Sequence, residues 1–365
     1  FQLDAVEAIT SIFEGQPRQT SMSYMMDIGK EKNITLDVVN GFKNADISLS
    51  DSDLLKNIQA TQKKNGILTD NKLVKMSIGG KDKNTKIDNS KDCLTLTVEM
   101  ETGTGKTYTY IKTMLELNKQ YGWSKFIIVV PSIAIREGVA KTFESTFEHF
   151  KQSYGVGVRY FIYNSSHLDQ IEAFASDAGI NVMIVNTQAF NARGADARRI
   201  DMVLDQFRGR RPIDVISATH PIMIVDEPQS VLGNGSKAKL NATRVGLAKF
   251  NPLFFINYSA THRDNYNMIY RLDAVDAYQK KLVKKIAVKG IEISGFNASS
   301  GYLYIEAIKE KPTLKVRLQF DKLSATGNVV KTSKLLDKGD NIYPISGEIE
   351  SYKSGFIISE INAVE

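Results

Sequence analysis

The eight residues Met100-Glu101-Thr102-Gly103-Thr104-Gly105-Lys106-Thr107 carry the most specific chemistry in the chain. Gly103 and Gly105 let the main chain turn so that successive N–H groups converge on phosphate oxygens. A helix opening at Lys106 would add the positive end of its dipole to that field. Lys106 offers a charge to the β- and γ-phosphates of a nucleoside triphosphate, and the Thr107 hydroxyl offers a ligand to Mg²⁺. Thr102 and Thr104 complete the candidate nucleotide-binding set, which implies ATP with Mg²⁺ as cofactors. The bland alternative, a Gly-rich turn followed by a chance Lys-Thr, does not explain why a strand-like run precedes it and a helical pattern follows. Met100 stands where the general pattern has Gly, at a strand exit, where it affects loop shape more than phosphate contact.

Hydrolysis needs more than a phosphate cradle: a metal carboxylate and a group that orients water. Ile222-Met223-Ile224-Val225-Asp226-Glu227-Pro228-Gln229 supplies both. The apolar run would carry Asp226 to the carboxyl end of a strand, where ligands bind in open α/β sheets. Asp226 would hold Mg²⁺ through water and Glu227 would polarise the attacking water, so Lys106 and Glu227 are the candidate catalytic residues. An acidic pair that merely caps a strand is the alternative, weakened by the phosphate loop upstream.

Elements able to position these groups are visible in the pattern. Short β-branched runs (Leu94–Met100, Phe126–Val130, Tyr160–Tyr163, Val182–Val185, Ile222–Val225, Phe254–Tyr258) alternate with amphipathic helices such as Thr107–Tyr121 and Ile135–Phe150. That alternation predicts an α/β fold with a parallel sheet between helices. Before it, residues 1–92 read as an N-terminal helix (Leu3, Val6, Ile9 and Phe13 at helical spacing) and a polar insertion belonging to the same lobe. A helix over Asp51–Lys64 starts at Ser50 or Asp51, and Met76–Asp92 reads as an exposed hairpin or loop. Residues 93–272 form the ATPase lobe itself and 273–290 a basic linker helix. Residues 291–365 form a small antiparallel β domain, with runs at Tyr302–Lys309, Leu314–Phe320, Asn341–Ile345 and Phe356–Ile361 after an earlier one at Ile286–Ser294.

Three motifs in order, Thr-Gly-Thr-Gly-Lys-Thr, then Asp-Glu-Pro-Gln, then Ser259-Ala260-Thr261, resemble motifs I, II and III of superfamily 2 helicases and translocases. The Asp-Glu-Pro-Gln form, Met100 before the loop and the segment Arg271–Lys285 resemble more narrowly the Res (restriction) subunit of type III restriction-modification enzymes. Pro228-Gln229 counts against type I restriction motors and DEAD-box helicases. The resemblance implies a RecA-like P-loop domain, and ATP hydrolysis coupled to movement on double-stranded DNA as part of a site-specific endonuclease. It also implies a methyltransferase subunit as partner. Gln2 resembles the upstream glutamine that reads the adenine edge; an amide can pair with donor and acceptor there. Pro131, Ser132 and Arg136 resemble a loop that contacts the DNA backbone, and Thr187 with Gln188 a second; polar groups at strand ends suit phosphate contacts without sequence readout. Gln229, Ser259 and Thr261 would link the carboxylate pair to lobe geometry.

Motors of this kind need a second lobe bearing an arginine finger, and Res subunits carry a nuclease module. Neither is found here; Asp70-Asn71-Lys72 and Glu350-Ser351-Tyr352-Lys353 are the nearest scraps of the latter. A start without Met and a strand-like end suggest an ordered fragment with weak ATPase and no nuclease activity. Two alternatives remain open: another superfamily 2 DNA helicase, such as a repair helicase, and a non-motor module that senses nucleotide. The net charge of +6 is compatible with a nucleic-acid partner without requiring one. Lys280, Lys281, Lys284 and Lys285 read as one basic helical stripe, either a solvated face or a phosphate contact. The single cysteine, Cys93, excludes an internal disulfide and points to a reducing cytoplasm. No apolar stretch is long enough to cross a membrane. The four histidines show no metal spacing.

Overall fold

The computed structural model describes residues 1–20, 22–26, 40–80, 90–187, 196–232, 242–284, 301–309, 313–324, 326–353 and 356–362. The chain divides into two compact units, Phe1–Lys285 and Ile286–Glu365.

The first unit opens with α1 (Gln2–Thr10), continued by a 3₁₀ turn over Ser11–Phe13. A small antiparallel pair follows, β1 (Met22–Met25) with β2 (Asn40–Lys43). Next comes α2 (Asp51–Lys64), capped where the sequence indicates: the Ser50 side chain accepts from Asp53 N–H. The sheet then begins with β3 (Lys75–Ile78) and β4 (Lys91–Met100), and α3 (Lys106–Tyr121) follows β4. The pattern continues through β5 (Lys125–Val130), α4 (Ile133–Tyr154), β6 (Val158–Ile162), α5 (Asp169–Ser176) and β7 (Ile180–Asn186). After α6 (Pro212–Ala218) come β8 (Ile222–Asp226), the short α7 (Pro228–Val231) and α8 (Ala242–Ala248). β9 (Phe255–Ser259), β10 (Met268–Leu272) and α9 (Ala274–Gln279) complete the unit.

These strands form one sheet in the order β10-β4-β9-β8-β5-β7-β6, parallel throughout, with β3 antiparallel to β4. It is the RecA-like α/β arrangement that the motif order implies. Successive side chains of a strand face opposite sides, and both sides are apolar because helices cover both. Leu96, Val98, Ile128, Ile224 and Ile256 join one buried cluster; Ile127, Val129, Met223, Val225 and Phe255 join the other. Each such side chain stabilises the fold by about 1.5–3 kcal/mol through burial.

The N-terminal segment is fastened to the first cluster. Phe13 packs on Trp123 (centroids 4.9 Å apart) and Phe254 (4.7 Å), and the Trp123 indole donates to Ala45 O at 2.9 Å. Tyr121 hydroxyl donates to Thr10 O at 2.8 Å. These contacts hold α1 against α3 and bring Gln2 to the phosphate loop. Leu3 is not part of this face; it is 62% exposed, while Val6, Ile9 and Phe13 are buried.

Several elements differ from expectation. The arms of the Met76–Asp92 hairpin are buried on one face only: Met76 and Ile78 are fully buried where β3 pairs with β4, Ser77 and Asp92 are exposed, and residues 81–89 lie outside the described set. β10 has no clear strand pattern of its own, because Met268–Leu272 is short and carries Arg271. The basic helix stops at Gln279: Lys280 caps it and Lys281 has φ +56°, so Lys280, Lys281 and Lys284 share no helical face. Lys285 and the run Ile286–Ser294 lie outside the described residues.

The second unit contains an antiparallel sheet, β11 (Leu303–Lys309), β12 (Lys315–Leu323) and β13 (Val329–Leu336), followed by α10 (Ile342–Ile345). Alternate β12 residues, Val316, Leu318 and Phe320, make its core with Leu336, Ile342, Tyr352, Phe356 and Ile361. Asn341–Ile345 is a helical turn, not a strand, because the Asn341 side chain caps it by accepting from Tyr343 N–H at 3.0 Å. Phe356–Ile361 is irregular apart from one bridge, Asn341 to Ile357.

Candidate nucleotide-binding site

β4 delivers Met100, fully buried, to the carboxyl edge of the sheet. Glu101 N–H donates to Leu272 O of β10 at 2.9 Å, and the Thr104 hydroxyl donates back to Glu101 O at 2.6 Å. The turn thus closed runs through Gly103 (φ +82°) and Gly105 (φ +90°), a region that favours glycine. The space beside Gly103 is open, whereas a Cβ on Gly105 would lie 2.2 Å from Gln2 Nε2. That amide nitrogen donates to Thr104 O at 3.0 Å, so Gln2 rests on the loop's own backbone. Thr102 is exposed, with its N–H donated to Glu101 Oε1 at 2.8 Å. Lys106 and Thr107 form the first turn of α3.

β9 lies between β4 and β8, and this order sets the rest of the site. Ser259 at its end stands opposite Glu99 of β4, and Tyr258 stands opposite Asp226 of β8. The chain leaves β8 through Glu227 in a left-handed conformation (φ +52°), uncommon for a residue with a side chain. Its carboxylate then takes three partners. Lys106 Nζ lies 2.8 Å from Oε1; the Ser259 hydroxyl and the Gln229 amide donate to Oε2 at 2.5 and 2.7 Å. Burial alone would raise this carboxyl, but those three hydrogen bonds outweigh it and hold the group below its ordinary value.

Asp226 is the opposite case. It is 6% exposed and its Oδ1 is buried without a hydrogen-bond partner. Burial, then the charge of Glu227, push its carboxyl up to about 6, against the pull of Lys106. An unpartnered buried carboxylate oxygen, next to a loop whose helix carries the Thr107 hydroxyl in its first turn, fits a divalent cation. Mg²⁺ in nucleotide sites takes one or two protein oxygens, phosphates and waters, so a cluster of acidic ligands is not needed. None occurs among the described residues.

Thr261 reaches the carboxylates only through Ser259, whose Oγ accepts Thr261 N–H at 3.1 Å; the Thr261 side chain is exposed. His262, to which the motifs assign no chemistry, is largely buried, with Nε2 3.0 Å from Val98 O of β4 and Nδ1 unpartnered. It lines a small polar cavity with Asn257, Gln229, Arg244 and Tyr266. Its position directly after Ser-Ala-Thr was the available signal. The backbone-contact candidates lie at the same carboxyl edge. Pro131 and Ser132 form the turn into α4, and Ser132 caps it by accepting Ile135 N–H at 3.3 Å. Arg136 is already in the first helical turn, bonded to Glu137 at 2.8 Å and lining an open groove with Tyr160, Asn164 and His167. Thr187 N–H donates to Val130 O at 3.3 Å; Gln188 lies outside the described residues. The scraps of acidic pattern make local pairs: Asp70 accepts from the Gln62 amide at 2.6 Å, and Glu350 pairs with Lys353 at 2.8 Å beside the buried Tyr352.

The profile of the family described as "Type III restriction enzyme, res subunit" matches residues 51–264, more than half of the chain and all of the site except Gln2. The chain belongs to this family. The Res resemblance drawn from Asp-Glu-Pro-Gln and its flanking motifs therefore holds. This Res-family chain is 34% identical over 262 residues to the Type III restriction-modification enzyme EcoP15I Res subunit of Escherichia coli, covering 67% of this chain and 25% of that protein. To the EcoPI Res subunit of Escherichia phage P1 it is 32% identical over 263 residues, with the same coverages. It thus spans about a quarter of the length of the curated relatives it matches. Among solved structures, a nuclease-deletion mutant of the Type ISP restriction-modification enzyme LlaGI, in complex with a DNA substrate mimic, aligns at 13% identity with a TM-score of 0.32, over 51% of this chain and 18% of that one. A score that low adds nothing to the sheet order described above. No helix among the described residues is long and apolar enough to cross a membrane.

Proposed function

We propose that this Res-family chain is the first ATP-binding lobe of a DNA-dependent ATPase and translocase, the motor of a type III restriction subunit. The observation that carries the reading is the convergence of Lys106, Glu227 and Asp226 at one edge of the sheet, with Lys106 paired to Glu227 and Asp226 Oδ1 unpartnered.

The N–H groups from Gly103 to Thr107 hold the phosphates, helped by the open space at Gly103. Lys106 exchanges Glu227 for the γ-phosphate and offsets the charge that develops there. Glu227, released on one side and still held by Ser259 and Gln229, orients the attacking water and accepts its proton. Thr107 and Asp226 would hold Mg²⁺, which supplies charge neutralisation to the phosphates when bound. Gln2, already against Thr104, contacts the adenine edge. Pro131, Ser132, Arg136, Thr187 and Gln188 touch the phosphate backbone of double-stranded DNA. The whole protein would add a second lobe with an arginine finger, a nuclease domain and a methyltransferase partner, and would work in the cytoplasm.

Two measurements test this. The chain alone binds Mg·ATP but turns it over about 10³–10⁵-fold more slowly than a complete motor, because the arginine finger is absent. In the full-length protein, DNA stimulates ATP hydrolysis and Lys106→Ala lowers it by about 10²–10³-fold. Brisk hydrolysis by the isolated monomer would contradict the need for a second lobe. No stimulation by any DNA would instead favour a nucleotide-sensing module.

A further inference from the structure

Six buried polar side-chain atoms have no hydrogen-bond partner among the described residues, and four of them belong to the neighbourhood of Asp226 and Ser259: Tyr110 Oη, Asp226 Oδ1, Asn257 Oδ1 and His262 Nδ1. Tyr110 and Asp226 share one side of the sheet. Tyr110 is fully buried in the cluster that holds Ile224, Ile256 and Tyr258. On α3 it follows Thr107 by three residues, the spacing that places two side chains on one helical face. Its ring meets Tyr258 edge-on at 5.5 Å, and Tyr258 is the residue opposite Asp226 in the β8–β9 ladder. The phenol therefore lies on the side of the sheet that carries Tyr258 and Asp226, one helical turn beyond Thr107.

We propose that Tyr110 is a positioning residue of the divalent-cation site: its hydroxyl, directly or across one ordered water, holds the Asp226 carboxylate in the orientation that binds the cation. This rests on the nucleotide-site reading above. A buried hydroxyl without a partner opposes folding. Carboxylates that ligate metals are themselves hydrogen-bonded, and their partners tune affinity. Tyr110 and Asp226 fit that relation as a donor and an acceptor: neither Oη nor Oδ1 has a hydrogen-bond partner within 3.5 Å among the described residues, although the Thr107 hydroxyl lies close enough to Oη to pull the phenol down against its burial. Burial, and after it the charge of Asp226, hold the phenol well above its ordinary value, so it remains a donor at neutral pH.

The test is Tyr110→Phe in this chain, with two readouts. In metal-free buffer the variant should melt about 2–4 °C higher, because an unpartnered hydroxyl has gone. In a Mg²⁺ titration followed by a fluorescent ATP analogue, it should need about 10–100-fold more Mg²⁺ for half-saturation. A variant with unchanged Mg²⁺ dependence overturns the proposal. So does one that melts lower without metal, which would assign the hydroxyl a structural role. If the wild-type chain binds the analogue with no response to Mg²⁺, the nucleotide-site reading itself fails and takes this inference with it.

Discussion

Lys106 Nζ lies 2.8 Å from Glu227 Oε1, although the two residues leave strands that are not neighbours, β4 and β8, with β9 between them. The two opposite charges neutralise one another. On the proposed function, nucleotide would displace this pair, and binding and activation of Glu227 would be one event. Lys106→Ala removes the phosphate charge and should lower turnover of the full-length protein by about 10²–10³-fold, as loss of a single stabilising donor does. Steady-state ATPase assays check this; a variant within tenfold of wild type would sink the assignment.

Ser259→Ala separates orientation from binding. It removes one donor to Glu227 Oε2 and leaves the phosphate loop intact. A hydrogen bond to a charged group is worth about 1.5–3 kcal/mol, so turnover should fall about 10–100-fold with ATP affinity nearly unchanged. Equal losses in affinity and turnover would show that Ser259 shapes the loop instead.

Asp226 makes the metal-free fold pH-dependent. Burial, then the charge of Glu227, push its folded carboxyl from the ordinary 3.8 up to about 6. A carboxyl raised in this way binds protons better folded than unfolded. Its contribution is best at acid pH and is lost as pH rises from about 4 to about 6. Asp226→Asn should therefore gain stability relative to wild type across that window, by about 2–3 kcal/mol at its upper end. Urea melts at pH 4 and pH 7 measure the difference; the same gain at both pH values would refute the titration, and Mg²⁺ with nucleotide should narrow it.

Gly105→Ala tests the contact between Gln2 and the loop. A side chain at φ +90° costs about 1–2 kcal/mol whatever surrounds it, and here it also collides with Gln2 Nε2. The substitution should be less destabilising in a Gln2→Ala background than in wild type. A double-mutant cycle with no coupling would mean Gln2 does not rest on the loop in solution.

Ile224, fully buried in the strand that carries Asp226, reports on the scaffold. Ile224→Ala should cost about 2–5 kcal/mol of unfolding free energy. A loss under 1 kcal/mol in denaturant melts would mean the sheet is packed otherwise.

Much of the site could be read from residue order. The phosphate loop is local chemistry: two glycines needing positive φ and a lysine opening a helix occupy consecutive positions, so sequence alone determined it. The same is true of the apolar runs that became β5, β7, β8 and β9, because a strand buried on both faces must be continuously apolar, and of the Ser50 cap, whose partner lies three residues away. Only the tertiary structure decided what long-range packing decides. Strand order puts Ser259 between the lysine and the glutamate, burial strips Asp226 Oδ1 of partners, and Val98 O captures His262. β10 could be recognised as a strand only against β4, and Asn341–Ile345 became helical through its cap, since a run of five residues has too little periodicity to choose. Local spacing specified which groups are present; their charge states and partners follow from desolvation and strand order, which no local pattern encodes.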